Sequence, residues 1–241
     1  MHDTNFILRG KRHVEFQFCN LAVRALASGA LQFPELNVIA VADLHLGKSQ
    51  RIARRGGSLL PPYETTDALA RLQDDLNATN PATVICLGDS FDDDPAAAQV
   101  SQFHGKQIET LQRGCRWIWV CGNHDANPQV AAGEIVPEVK IACLIFRHIA
   151  TEGCTGEISG HYHPKISLSA KGRRISRACF LVDRNRIILP AYGTYTGGMD
   201  CREQPLSSLM NQGAVAIATG NRASMIPMPA GFSGRRSSKL S

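Results

Sequence analysis

Three short apolar runs, each ending on a polar residue, restrict this chain more than any other feature. They are "NVIAVADLH" (37–45), "PATVICLGD" (81–89) and "CRWIWVCGN" (115–123). Runs of this length and β-branched content read as buried strands. Helical spacing separates them. Leu69, Leu72 and Leu76 recur on one face, as do Val100, Phe103, Ile108 and Leu111. Asp94 and Pro95 read as the N-cap and first turn of that second helix, and Gly114 as its stop. "VKIACLIFRH" (139–148) reads as a fourth strand. "RACFLVDRNRIILPAYG" reads as two antiparallel strands around a turn at Asp183 to Asn185. Strands spaced by helices, then a run of strands, describe an α/β layered domain.

What stands at the strand ends is the informative part. The first run delivers Asp43 and His45, and the second Gly88 and Asp89, with Asp92 and Asp93 just beyond. The third delivers Asn123, His124 and Asp125. The fourth ends on His148, and "GHYH" then adds His161 and His163. Five of the eight histidines fall at these points. Open α/β sheets bind ligands outside the carboxyl ends of their strands, so these groups are expected to converge. A mixture of Asp, His and Asn suits a divalent cation of intermediate hardness. Seven such donors exceed the roughly three protein ligands of one catalytic zinc. They suit two ions sharing a carboxylate. The D-x-H and H-x-H spacings allow both side chains to leave an extended segment on the same side. Singly, a strand-end Asp is as readily a helix cap, and His148 more readily a core or surface histidine. The ordered set carries the signal.

Bulk properties permit a soluble enzyme. Hydrophobic residues make up 44% and charged residues 20%, ordinary for a chain that buries a core. No apolar run approaches the roughly 18 to 20 residues that span a bilayer. The opening "MHDTNFILRGKRH" lacks the features of a secretory signal. With no CxxC pair among the eight cysteines, free thiols, a cytoplasmic location and no membrane association are expected. The net charge is +5, but Arg235, Arg236 and Lys239 supply three of those charges, leaving a body of about +2. Charge therefore permits a nucleic-acid substrate without arguing for one. Residues 1–229 are expected to form one domain, and 230–241, rich in Gly, Ser and charge, a disordered basic tail.

The order D-x-H, G-D, G-N-H-D, H, G-H-x-H resembles the calcineurin-like metallophosphoesterase superfamily over roughly residues 35 to 200. "ADLHLGK", "LPPYETTDALARL", "LGDSFDD", "GHYHP", "CFLVD" and "LPAYGTYTGG" are similar to one bacterial branch, the ligase-associated DNA damage response endonucleases or phosphoesterases. That resemblance implies a four-layer α-β-β-α sandwich with mixed sheets. It implies two divalent metal ions, Mn²⁺ foremost, with Zn²⁺ or Fe²⁺ as alternatives. By position, Asp43, His45 and His163 hold one ion, Asp89 bridges, and Asn123, His148 and His161 complete the second. His124 acts on the leaving oxygen and Asp125 orients it. The resemblance also implies a DNA ligase and a helicase as functional associates. Two departures stand out: Asp92 occupies a position where His is usual, and "RHIA" stands where "RHEP" is expected. Neither replaces an expected ligand.

Around this set several readings stay open. "GKSQRIARRGG" places Lys48, Arg51, Arg54 and Arg55 just after the first motif, as phosphate donors or as a solvated helix. Lys48, Arg51 and Arg55 are the candidate substrate contacts. Asp92 and Asp93 are either partners of ligating histidines or an acidic loop. "GTYTGG" shapes the pocket or is a turn, "KGRRISR" is a solvated hairpin tip, and Trp117 and Trp119 are core. The leading expectation is a phosphodiesterase acting on DNA or RNA in repair. The alternatives are an enzyme for small nucleotides and a catalytically quiet scaffold.

Overall fold

A computed structural model of the chain describes residues 12–57, 61, 63–123, 132–170 and 172–229. The expected tail at 230–241 lies outside them. Two mixed sheets face each other. The first runs β1 (His13–Phe18), β2 (Leu21–Leu26), β3 (Leu31–Phe33), β4 (Val38–Val41), β5 (Thr83–Leu87), β6 (Arg116–Val120) and β7 (Glu134–Val136) in that spatial order. β1 to β4 pair antiparallel, and β4 to β7 pair parallel. The second contains β8 (Glu138–Ile141), β9 (Leu144–Arg147), β10 (Glu157–Ser159), β12 (Arg173–Val182), β13 (Arg186–Ile188), β14 (Val215–Ala218) and β15 (Ser224–Pro227). Their order is β15-β14-β12-β13-β10-β9-β8, and β11 (Lys165–Ala170) pairs with β12 alone among the strands.

The alternating side chains of the central strands explain the layering. From β4 and β5, Ala40, Ile85 and Leu87 join Phe146, Ile158, Phe180 and Ile187 between the sheets. Ile39, Val41, Val84 and Cys86 point the other way, onto Leu69, Leu72 and Leu76 of α2 (Glu64–Thr79) and Val100, Ile108 and Leu111 of α3 (Asp94–Gln112). Strands buried on both faces are continuous apolar runs for this reason. Each such aliphatic side chain contributes about 1.5 to 3 kcal/mol by leaving water. Trp117 and Trp119 sit on the helical side, ring centroids 5.5 Å apart. The outer face of the second sheet is closed by α4 (Leu206–Leu209) and its flanks, through Leu206 and Met210 on Leu181 and Ile188. The order α-β-β-α is that of a metallophosphoesterase sandwich, with a thin fourth layer.

Several expectations need correction. The strand expected over 139–148 is a hairpin, β8 and β9, turning at Ala142 with φ +53°. The N-cap of α3 is Asp93, whose side chain accepts from the Ala96 amide; Asp94 is the first helical residue. Phe103 leaves the core face and is 73% exposed. Among the described residues, β1 to β3 have no counterpart in the expectations.

Candidate metal centre

The centre forms where β4 and β5 end, and backbone pairing builds it. The amides of Asp43, His45 and Leu46 donate to the carbonyls of Gly88, Asp89 and Ser90 at 3.2, 2.9 and 2.9 Å. The two polar termini are thereby zipped together. The segment is not extended, contrary to the D-x-H reading. Asp43, His45, Asp89, His161 and His163 all have positive φ, between 45° and 72°. Non-glycine residues in this region are uncommon, and such strain concentrates at functional sites. Left-handed residues turn the chain sharply at each step, which brings Asp43 and His45 together and sends His161 and His163 to different donor groups.

Two donor groups result. Asp43, His45 and His163 place ligand atoms within 4.8 Å of one another, and so do Asp89, His148 and His161. In the first, His163 Nε2 lies 3.2 Å from His45 Nε2 and 3.4 Å from Asp43 Oδ1. In the second, His148 Nε2 is approached by Asn123 Oδ1 at 2.9 Å, His161 Nδ1 at 3.2 Å and Asp89 Oδ2 at 3.4 Å. Two ligands on one ion at about 2.1 Å stand roughly 3.0 to 3.4 Å apart, so these spacings fit shared cations. Asp43 Oδ1 is buried and has no hydrogen-bond partner among the described residues. A buried carboxylate oxygen left so is costly unless a cation meets it.

Tautomers are set from behind. His148 Nδ1 lies 2.9 Å from the Leu87 carbonyl, which can only accept, so this nitrogen carries the proton and Nε2 offers its lone pair. His45 Nδ1 lies 3.0 Å from Asp92 Oδ1, leaving Nε2 for the first group. Burial opposes charge on His148, but Asp89 and Asp43 outweigh it and raise its pKa. His161 is shifted down, by burial and then by the neighbouring His148. Burial also opposes charge on Asp92, yet His45, Lys48 and Arg51 hold its carboxyl below the usual range.

The sequence profile of the calcineurin-like phosphoesterases matches residues 36–183, well over half of the chain. The chain belongs to that family. This calcineurin-like phosphoesterase is therefore a metal-dependent phosphoester hydrolase, and the two donor groups are its candidate metal sites. Among solved structures, the Pseudomonas putida nuclease MPE is similar with a TM-score of 0.68 and 21% identity, covering 89% of this chain and all of that one. The E. coli phosphoesterase YfcE is similar with a TM-score of 0.40 and 10% identity, covering 80% of this chain and 99% of that one. No curated protein matches.

The other candidates of the phosphoesterase chain fall as follows. His124 and Asp125 lie outside the described residues. Lys48 and Arg51 sit on α1 (Lys48–Arg54) and both reach Asp92, Lys48 at 3.7 Å. Arg54 pairs with Asp93 instead, 2.5 Å away, and Arg55 is exposed beyond the helix. Asp92 is thus the histidine partner and Asp93 the helix cap, which resolves the two open readings of that loop. What the motifs did not reveal is the clamp on α1. Glu64 accepts from the Ser49 amide at 3.0 Å and hydroxyl at 2.7 Å, and Thr65 Oγ1 accepts from the Gly47 amide at 3.0 Å. "GTYTGG" packs on the centre, since the Gly193 amide donates to the Asp43 carbonyl at 3.1 Å.

Proposed function

We propose that this phosphoesterase hydrolyses phosphodiester bonds of nucleic acid, with Asp43, His45 and His163 holding one divalent cation and Asn123, His148 and His161 a second. Asp89 serves both, a reading supported by the bond from the His45 amide to its carbonyl and by its own place in the second group. The donor set, oxygen and imidazole without thiolate, suits Mn²⁺, with Zn²⁺ or Fe²⁺ as alternatives. When bound, such a pair clamps the attacking and leaving oxygens of an in-line displacement and acidifies water. His124 gives a proton to the leaving oxygen and Asp125 orients its ring. Lys48 and Arg51, 16% and 20% exposed, surround the single charge of Asp92 and keep an excess positive charge for a substrate phosphate. Arg55, beyond the helix, meets the chain further out.

The observation that carries the substrate class is the opening on both sides of the centre. One cleft of about 330 Å³ is lined by Gly122, Asn123, Arg147, His148 and Ile149. Another of about 340 Å³ is lined by His161, Tyr162, His163, Gly198 and Glu203. A diester embedded in a chain needs room on either side of phosphorus, whereas a small nucleotide needs one closed pocket. A role in DNA repair beside a ligase and a helicase, in the cytoplasm, completes the proposal. No helix among the described residues is long and apolar enough to cross a membrane.

The test is hydrolysis of labelled DNA, RNA, dinucleotides and a bis(aryl) phosphate diester with Mn²⁺, by wild type and the Asp89→Asn and His124→Ala variants. Polymer cleavage is expected, abolished in Asp89→Asn. His124→Ala is expected to lose about 10² to 10⁴ in rate while still binding metal. A wild type that cleaves only dinucleotides overturns the polymer assignment, and one as inactive as Asp89→Asn makes the chain a scaffold.

A further inference from the structure

We propose that the outer face of the β11–β12 ribbon, with Tyr195 at its foot, is a track for single-stranded nucleic acid leading away from the metal centre. The proposal rests on the nucleic-acid reading above and specifies where the strand lies.

The ribbon leaves directly from the ligand turn, since His163 is followed by Pro164 and then by Lys165, the first residue of β11. Residues 165–177 contain no carboxylate, and the strand register places two of their cations, Lys165 and Arg174, on the same face of the ribbon. The register sorts the ribbon into two faces. Ile166 and Leu168 point inward, packing with Cys201 and Leu206. Lys165, Ser167 and Ser169 point outward, opposite Ala178, Ser176 and Arg174. The outward face is therefore hydroxyl and cation, with Ser169, Arg174 and Ser176 exposed.

Among the described residues one carboxylate, Asp200, is seen on this face, and it is already occupied. Arg202 holds it through Nε at 2.7 Å and Nη2 at 2.8 Å, and Ser167 donates to it at 3.0 Å. Arg174 reaches Asp200 only at 3.8 Å and is 70% exposed, so its charge stays available. Lys165, Arg174 and Arg202 around Asp200 leave the face positive. Phosphates of a strand need cations and hydroxyls in this arrangement.

The second observation is Tyr195. It is 40% exposed and has φ +59°, a conformation that a bulky aromatic residue rarely adopts. Its neighbours hold it there. Thr194 Oγ1 donates to Asp67 at 2.8 Å, and the Thr196 carbonyl accepts from Lys165 Nζ at 3.2 Å. Gly198, three residues after Tyr195, lines the cleft with His161 and His163. An exposed ring, strained into place between the cleft and a basic face, has the form of a stacking platform for an unpaired base. A duplex keeps its bases inside the stack and would not use it.

The length of the track follows from strand geometry. Six residues at about 3.3 Å each extend roughly 20 Å, or about six nucleotides at the 3.4 Å spacing of a stacked strand.

The experiment measures kcat/KM on single strands of two, six and twelve nucleotides, against salt, for wild type, Arg174→Ala, Arg174→Lys and Tyr195→Ala. Wild type is expected to gain with length up to about six nucleotides and then level off. Arg174→Ala is expected to make the log–log salt slope on the hexamer shallower by about 0.7, and Arg174→Lys to restore it. Tyr195→Ala is expected to reduce the hexamer-to-dinucleotide ratio on the order of tenfold. Unchanged length gain and salt slope in Arg174→Ala and Tyr195→Ala overturn the track. A preference for duplex with Tyr195→Ala silent overturns the single-strand assignment. If wild type hydrolyses the bis(aryl) diester but no oligonucleotide, the nucleic-acid reading itself fails, a result separable from either of these.

Discussion

His45 Nδ1 stands 3.0 Å from Asp92 Oδ1, and Asp92 is fully buried. The carboxylate fixes the imidazole with its proton at the back and its lone pair in the metal pocket, while Lys48 and Arg51 neutralise it from α1. Losing such a partner typically costs 10- to 100-fold in metal affinity. Asp92→Ala is expected to weaken Mn²⁺ at the Asp43, His45 and His163 group by about that factor. Asp92→Asn keeps an acceptor and loses less. Titration calorimetry reads both, and equal affinity in all three proteins would dismiss the assignment.

Gly88 backs the second group. It has φ +72°, and a Cβ there would stand 2.4 Å from His148 Nδ1 and 2.9 Å from Gly122 Cα. The ring cannot retreat without leaving Asp89 and Asn123. Gly88→Ala is expected to lower stability by about 1 to 3 kcal/mol, the usual range for a disfavoured backbone conformation. Mn²⁺ stoichiometry by equilibrium dialysis is expected to fall from two towards one. A variant with unchanged Tm and two ions contradicts this.

Lys48 and Arg51 divide between structure and substrate. Removing either leaves Asp92 with one cation fewer and a substrate phosphate with one donor fewer. For a charge-assisted contact of about 1.5 kcal/mol, Lys48→Ala is expected to raise KM for a phosphodiester roughly tenfold, with kcat little changed. A fall in kcat at constant KM would instead place Lys48 in the chemical step.

Asp200 gives an acid limb to stability. The hydrogen bond from Arg202 holds its carboxyl well below the usual carboxylate range. A depressed folded-state pKa stabilises fully above the unfolded value and is lost as pH falls towards the folded one. The Tm difference between wild type and Asp200→Asn is therefore expected to be constant from pH 7 to about 5 and to shrink below about 4. Differential scanning fluorimetry across that range checks it, and a difference independent of pH rejects it.

Cysteine chemistry is expected to be quiet. None of the eight cysteines forms a disulfide, and burial pushes Cys19 and Cys201 up to about 11. At pH 8, alkylation is expected to reach exposed Cys143 first and the buried Cys86, Cys179 and Cys201 last, as peptide mapping of iodoacetamide adducts can show.

The strands that carry donors were legible because burial on both faces leaves an unbroken apolar run, and such a run ends abruptly. The helices α2 and α3 were legible through leucine and valine spacing, although Phe103 was misplaced because periodicity does not say how wide the covering sheet is. β1 to β3 were not legible. Their side chains alternate between core and partly open positions, as in Val14, Phe16 and Phe18, and the intervening polar residues break the apolar signal. The hairpin of β8 and β9 was hidden because Ala142 and Cys143 are apolar and carry no turn signature.

The order of motifs along the chain, and with it the family and the donor types, was determined by sequence alone, because residue chemistry and spacing are local properties. Only the tertiary structure decided that Asp92 rather than Asp93 serves His45, that Glu64 and Thr65 clamp α1, and that five donor residues turn left-handed to meet. Those outcomes depend on contacts between distant segments, such as Ser49 with Glu64 or His161 with Asp43, whose energy exists once the two sheets have closed on each other.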